Sequence, residues 1–126
     1  SQEDLFEEVF TYFPRLSERL GQRAGSMSGG EKQMLSIGRA LVSEPDLLLV
    51  DEPTEGLMPS LVEELKSILI DINQDGTTVL LVEQNFQLAL EISDYNYVID
   101  EGRIRAEGER KDILDDDDVK DKYLVV

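Results

Sequence analysis

Apolar and polar positions follow two periods along the 126 residues. Near the N-terminus, Leu5, Phe6, Val9, Phe10 and Phe13 recur at helical spacing. Glu3, Asp4, Glu7 and Glu8 crowd the start, where acids suit the positive end of a helix dipole. This predicts a core-packing helix over 1–13, stopped by Pro14, and a short second helix over 15–20. A polar loop over 21–25 leads to Ser28 and Glu31, which have the S-x-x-E spacing of a capping box, and then to Met34, Leu35, Ile37 and Leu41 on one helix face. The four unbroken apolar residues 47–50 read as a strand buried on both faces, as in a parallel sheet with helices above and below, and Pro53 stops it. Leu61, Leu65, Ile68, Leu69 and Ile72 mark a helix from Pro59 to about residue 73, closed by Asp75-Gly76. A second strand is expected over 77–82, then a short helix over 86–92 with Phe86, Ala89 and Leu90 inward. Strands over 95–99 and 103–106 flank Asp100-Glu101-Gly102, a hairpin in which Gly102 takes positive φ. The last helices are expected over 109–114 and 119–124. Between them, the four aspartates 115–118 form a solvated charge run, a cap for the final turn, or a weak cation site.

Composition narrows the function. The length suits one modest core. Twenty-eight acids against twelve bases give a net charge of −16, which argues against contact with nucleic acid or an anionic bilayer, since both need clustered Lys and Arg. No apolar run approaches the roughly 20 residues that cross a bilayer, and nothing at the N-terminus reads as a signal peptide. Direct membrane insertion is not expected; any association with a membrane would go through a partner. The absence of cysteine excludes disulfides and thiol chemistry and fits a reducing cytosol. The absence of histidine excludes a His-based triad or zinc site, so carboxylates must carry any acid–base work.

Two stretches carry candidate chemistry. Asp51 and Glu52 stand at the carboxyl end of the apolar strand, where open α/β sheets place their ligands. One carboxylate can hold Mg²⁺ while the other orients or deprotonates an attacking water; the alternative is an acidic strand end facing solvent. Ser28-Gly29-Gly30-Glu31 opens a helix. It is either a simple cap with a tight turn or an anion site in which the glycines leave backbone N–H groups unobstructed, and both readings can hold together.

Met27-Ser28-Gly29-Gly30-Glu31, the strand ending in Asp51-Glu52-Pro53, and Val82-Glu83-Gln84-Asn85 together resemble the ATP-binding subunits of ABC transporters, over essentially the whole chain but only the later half of such a subunit. The resemblance implies an α/β P-loop NTPase (ABC ATPase) fold that is partial: a helical subdomain plus the second half of a parallel-sheet core. Residues 1–45 would belong to the helical subdomain and 46–126 to the core. It implies ATP and Mg²⁺ as ligands of the complete subunit, with Asp51 on the metal and Glu52 polarising the attacking water. Gln84 would take the switch position, which is His in most of the family; Gln can position a phosphate or a water but cannot carry a proton. Ser28, Gly29, Gly30 and Glu31 would form the stretch that meets the terminal phosphate of ATP held by a second ATPase subunit in a head-to-tail dimer. Met27 stands where Leu is usual. Met58 stands where many members carry the Asp of the loop that joins the two ATP sites. The Val-Glu-Gln-Asn form is similar to subunits of branched-chain amino-acid and urea importers. Transmembrane permease subunits would be the partners, and the location would be cytoplasmic, peripheral to the inner face of the membrane.

The sequence contains no P-loop, G-x-x-x-x-G-K-[ST]. In the family, the P-loop strand lies between the strands matching 77–82 and 95–99, so the middle strand is expected to be missing, leaving unpaired edges. Two other readings stand beside the importer: a non-catalytic interaction module or swapped oligomer, and a non-transport ABC ATPase. Compact spacing between Ser28 and Asp51 and the acidic balance favour transport.

Overall fold

The computed structural model describes residues 2–18 and 20–124. By internal contacts the chain divides into two units, 1–80 and 81–126, and the division falls inside a strand.

The first unit begins with α1 (Gln2–Tyr12) and α2 (Pro14–Glu18). Pro14 both stops α1 and opens α2, because it lacks the N–H that a helix interior needs but a first turn does not. Val9, Phe13 and Leu16 are buried, whereas Phe6 is exposed. A single 3₁₀ turn, Ala24–Ser26, replaces part of the expected loop, and α3 (Gly29–Val42) follows. Met34 and Ile37 face the core, and Gly38 lets α1 and α2 come close: a Cβ there would sit 3.0 Å from Val9 and 3.4 Å from Leu16. Strand β1 (Leu47–Asp51) lies against α3 and leads through a loop to α4 (Pro59–Gln74), which has Pro59 in its first turn. All five stripe residues of α4 are buried, each contributing about 2 kcal/mol of apolar burial before chain entropy is set against it. Tyr12 of α1 donates its phenol proton to Asp75 just past α4, and burial, followed by that carboxylate, holds the phenol well above its ordinary pKa.

Strand β2 (Thr78–Val82) pairs with β1 in a two-stranded sheet, starting with Thr78 N–H donating to Asp46 O at 3.0 Å. The connection between them runs through α4, the kind of crossover that parallel neighbours require. Burial along β1 alternates, which corrects the expectation of a strand buried on both faces. Leu48 and Val50 are 4% exposed, but Leu47 is 51% and Leu49 67% exposed. The sequence pattern anticipates two covering layers, and among the described residues this chain supplies one.

In the second unit, α5 (Phe86–Ile92) buries Leu88 and Leu90, with Phe86 only half-buried. Strands β3 (Asn96–Asp100) and β4 (Arg103–Gly108) form an antiparallel hairpin. Its two-residue turn, Glu101-Gly102, has φ of 52° and 73°, the double left-handed geometry whose twist matches the flanking strands. The register slips between Val98 and Ile99, leaving Arg105 as the extra residue. Helices α6 (Arg110–Leu114) and α7 (Asp117–Tyr123) complete a small core of Leu90, Val98, Ile113 and Val119. Within the aspartate run, Asp116 acts as the cap, accepting from Val119 N–H at 3.1 Å. Asp100 Oδ2 accepts from Lys122 Nζ at 2.8 Å and from the Tyr123 hydroxyl at 2.7 Å, and Tyr123 stacks on Phe86. These two hydrogen bonds hold the Asp100 carboxyl below its ordinary pKa. No strand joins β2 to β3 among the described residues, as expected when the strand between them is missing.

Candidate functional site

Strand pleating decides where the first carboxylate lies. Side chains alternate with period two, so Asp51 shares the exposed face of β1 with Leu47 and Leu49, while Leu48 and Val50 turn inward. Glu52 leaves the strand with φ of 46°, the left-handed region that costs an L-residue about 1 kcal/mol or more. Pro53 follows and is fully buried, which fixes the chain as it turns. Glu55 N–H donates to Glu52 O at 3.3 Å and Leu57 N–H to Thr54 O at 3.1 Å, so the loop is a succession of tight turns ending at Met58. The carboxylates are thus adjacent in the chain but leave it in different backbone conformations.

At the start of α3 the capping box is complete. Ser28 Oγ accepts from Glu31 N–H at 3.2 Å, and Glu31 Oε1 accepts from Ser28 N–H at 3.1 Å. Glu31 is 8% exposed, which identifies it as part of the cap's framework, while Ser28 and Gly29 face solvent. A Cβ on Gly29 would meet nothing within 4 Å; one on Gly30 would lie 2.5 Å from Leu61 Cδ1. An exposed helix start with an unobstructed glycine can receive an anion along its N–H groups.

Gln84 belongs to the second unit, exposed in the link between β2 and α5, where Asn85 Oδ1 caps α5 by accepting from Leu88 N–H at 3.2 Å. The structure therefore groups Ser28, Gly29, Gly30 and Glu31 at one helix start and Asp51 with Glu52 at one strand end. Two surface hollows, one beside Ser93 and Glu109 and one beside Tyr12 and Asp75, include none of these residues.

One exposed carboxylate at a strand tip fits Mg²⁺, which takes one or two protein carboxylates and completes its shell with phosphate oxygens and water. Among the described residues, no three acidic side chains converge into a cage made of protein alone. Sequence reasoning missed two residues here: Leu61, identified only as part of the α4 stripe, and Asn85, whose capping role its position before an apolar helix could have disclosed.

Residues 2–55 match the ABC transporter family. The high-affinity branched-chain amino acid transport ATP-binding protein BraG of Pseudomonas aeruginosa is 48% identical over 94% of this chain and 51% of its own length. The probable branched-chain amino acid transport ATP-binding protein LivF of Archaeoglobus fulgidus is 39% identical over 89% of this chain and 48% of its own. Among solved structures, the ADP conformation of MJ1267, an ATP-binding cassette of an ABC transporter, superposes with a TM-score of 0.83 at 29% identity. It covers 99% of this chain and 50% of that one. The chain thus carries, in part, the P-loop NTPase fold of an ABC ATPase cassette. Within that class it resembles the ATP-binding subunits of branched-chain amino-acid transporters, and it spans about half the length of the curated relatives it matches.

Proposed function

We propose that this chain is the C-terminal half of an ATP-hydrolysing subunit that powers an ABC importer for branched-chain amino acids or a related small solute. The observation that carries the proposal is the face of β1: the side that lacks a covering layer, marked by Leu47 and Leu49, is the side that bears Asp51. In the complete subunit, the strand leading into the P-loop joins the sheet beside β2, the helix that follows the P-loop packs on those leucines, and the ATP phosphates come to the strand end. Residues 1–45 act as the helical subdomain and 46–126 as core.

In this mechanism Glu52 accepts a hydrogen bond from the attacking water and polarises it. The water oxygen bonds to the terminal phosphorus as the bond to the ADP oxygen breaks, and the water proton passes through Glu52 to solvent. Asp51 holds Mg²⁺, which when bound neutralises charge on the phosphate oxygens. Gln84 positions water or phosphate through its amide. Ser28 and Gly29, with the backbone of Gly30, meet the nucleotide of a second ATPase subunit, and Glu31 holds Ser28 in place. Hydrolysis opens the dimer and moves permease subunits, through which the protein sits at the inner face of the cell membrane. No helix among the described residues is long and apolar enough to cross a membrane. The dimeric post-hydrolysis state of MJ0796 bound to ADP and Pi, similar to 68% of this chain with a TM-score of 0.61, supports the dimer.

The test is ATP binding and hydrolysis by the full-length subunit and its Glu52→Gln variant. Expected is retained binding with turnover reduced by about 10² or more. Hydrolysis at the parental rate in Glu52→Gln would remove Glu52 from the mechanism. Turnover by the 126-residue chain alone would show a nucleotide site independent of any P-loop.

A further inference from the structure

The two glycines of the capped stretch are not equivalent. Gly29 faces open space, but the place of a Gly30 side chain is already filled: Leu61 Cδ1 lies 2.5 Å and Leu57 Cδ2 3.7 Å from where its Cβ would be. Leu61 is buried in the first turn of α4, its N–H donating to Met58 O at 3.0 Å, immediately after the loop that begins at Glu52. The start of α3 and the start of α4 therefore meet at one point, and a side chain at position 30 would have to displace the Leu61 methyl from the space it fills.

We infer that Leu61 is a positioning residue: by occupying the space of the absent Gly30 side chain, it registers Ser28 and Gly29 against the loop that starts at Glu52. Leu57, within that loop, lies against the same spot, so a shift of the loop is transmitted through Leu57 and Leu61 to the solvent-facing end of α3. The phosphate-facing serine of one site is thereby tied to the loop beyond the carboxylates of the same chain. This rests on the reading of Ser28 and Gly29 as nucleotide contacts.

The experiment measures ATP-dependent dimerisation of the full-length subunit in the Glu52→Gln background, by sedimentation, with thermal melts alongside. Gly30→Ala is expected to weaken dimerisation by about tenfold or more, and the double variant Gly30→Ala/Leu61→Ala, in which the new methyl enters the vacated space, to recover to within about threefold of the parent. Ile68→Val, a packing change two turns further along α4, should lower the melting temperature yet leave dimerisation at the parental level. Absence of recovery in the double variant, or equal weakening by Ile68→Val, overturns the inference while leaving the nucleotide site standing. Ser28→Asp separates the two failures: it keeps a capping oxygen but places a carboxylate against the phosphate. Parental dimerisation in that variant overturns the site reading and this inference together.

Discussion

Helix α4 and strand β1 carry equally apolar patterns and meet different fates. Every stripe residue of α4 is buried within the chain, while β1 buries Leu48 and Val50 and leaves Leu47 and Leu49 in water. A helix has one apolar stripe and needs one neighbour; a central strand has two faces and needs two layers. The helix completes its packing within this stretch, while the strand leaves one face uncovered.

Substitution should widen that contrast. Leu65→Ala on α4 is expected to cost about 2–5 kcal/mol in chemical denaturation, from lost burial and the cavity left behind. Leu49→Ala should stay within about 0.5 kcal/mol in the 126-residue chain. In the full-length subunit the Leu49 cost should rise to about 2 kcal/mol or more, and equal costs in the two forms would show that nothing covers this face. A smaller effect tests the helix that precedes β1. Ser28→Ala should lose about 1 kcal/mol with the capping box, whereas Ser28→Asp should keep most of it. A larger loss for Ser28→Asp would place the serine's value elsewhere than in the cap.

The smallest effect lies in the second unit, whose hairpin and last helix are joined at Asp100. The carboxyl is held below its ordinary value of 3.8 by Lys122 and Tyr123, so its contribution to stability is present above that value and disappears as pH falls below it. The Lys122 ammonium is held above its ordinary value of 10.5, so its contribution is complete below that and fades as pH rises beyond it. The stability difference between the parent and Asp100→Asn should therefore be flat at neutral pH and shrink in strong acid. A difference unchanged at about pH 2 would exclude the clasp.

Legibility in the sequence followed the range of the interactions. The capping box at Ser28, the Pro59 start, the α4 stripe and the Gly102 turn were readable because their causes lie within four residues of one another. The uncovered face of β1 was not readable, because four apolar residues look the same whether one neighbouring layer or two are present. Leu88 escaped because a seven-residue helix carries too few apolar positions to fix which of its sides turns inward. At the site, the residue types were visible but the close approach of Leu61 to Gly30 was not, since it joins residues 31 positions apart. The left-handed backbone of Glu52 was equally hidden, because nothing in a glutamate announces it.

That backbone has a consequence for any effort to improve the protein by selection. Glycine or asparagine would relax at position 52, where a glutamate is strained. A screen rewarding only heat resistance would therefore drift toward those residues and enrich sturdier molecules that have discarded the second carboxylate. Under the proposed mechanism, robustness and turnover pull in opposite directions at this single position, and a library meant to keep both must hold Glu52 constant.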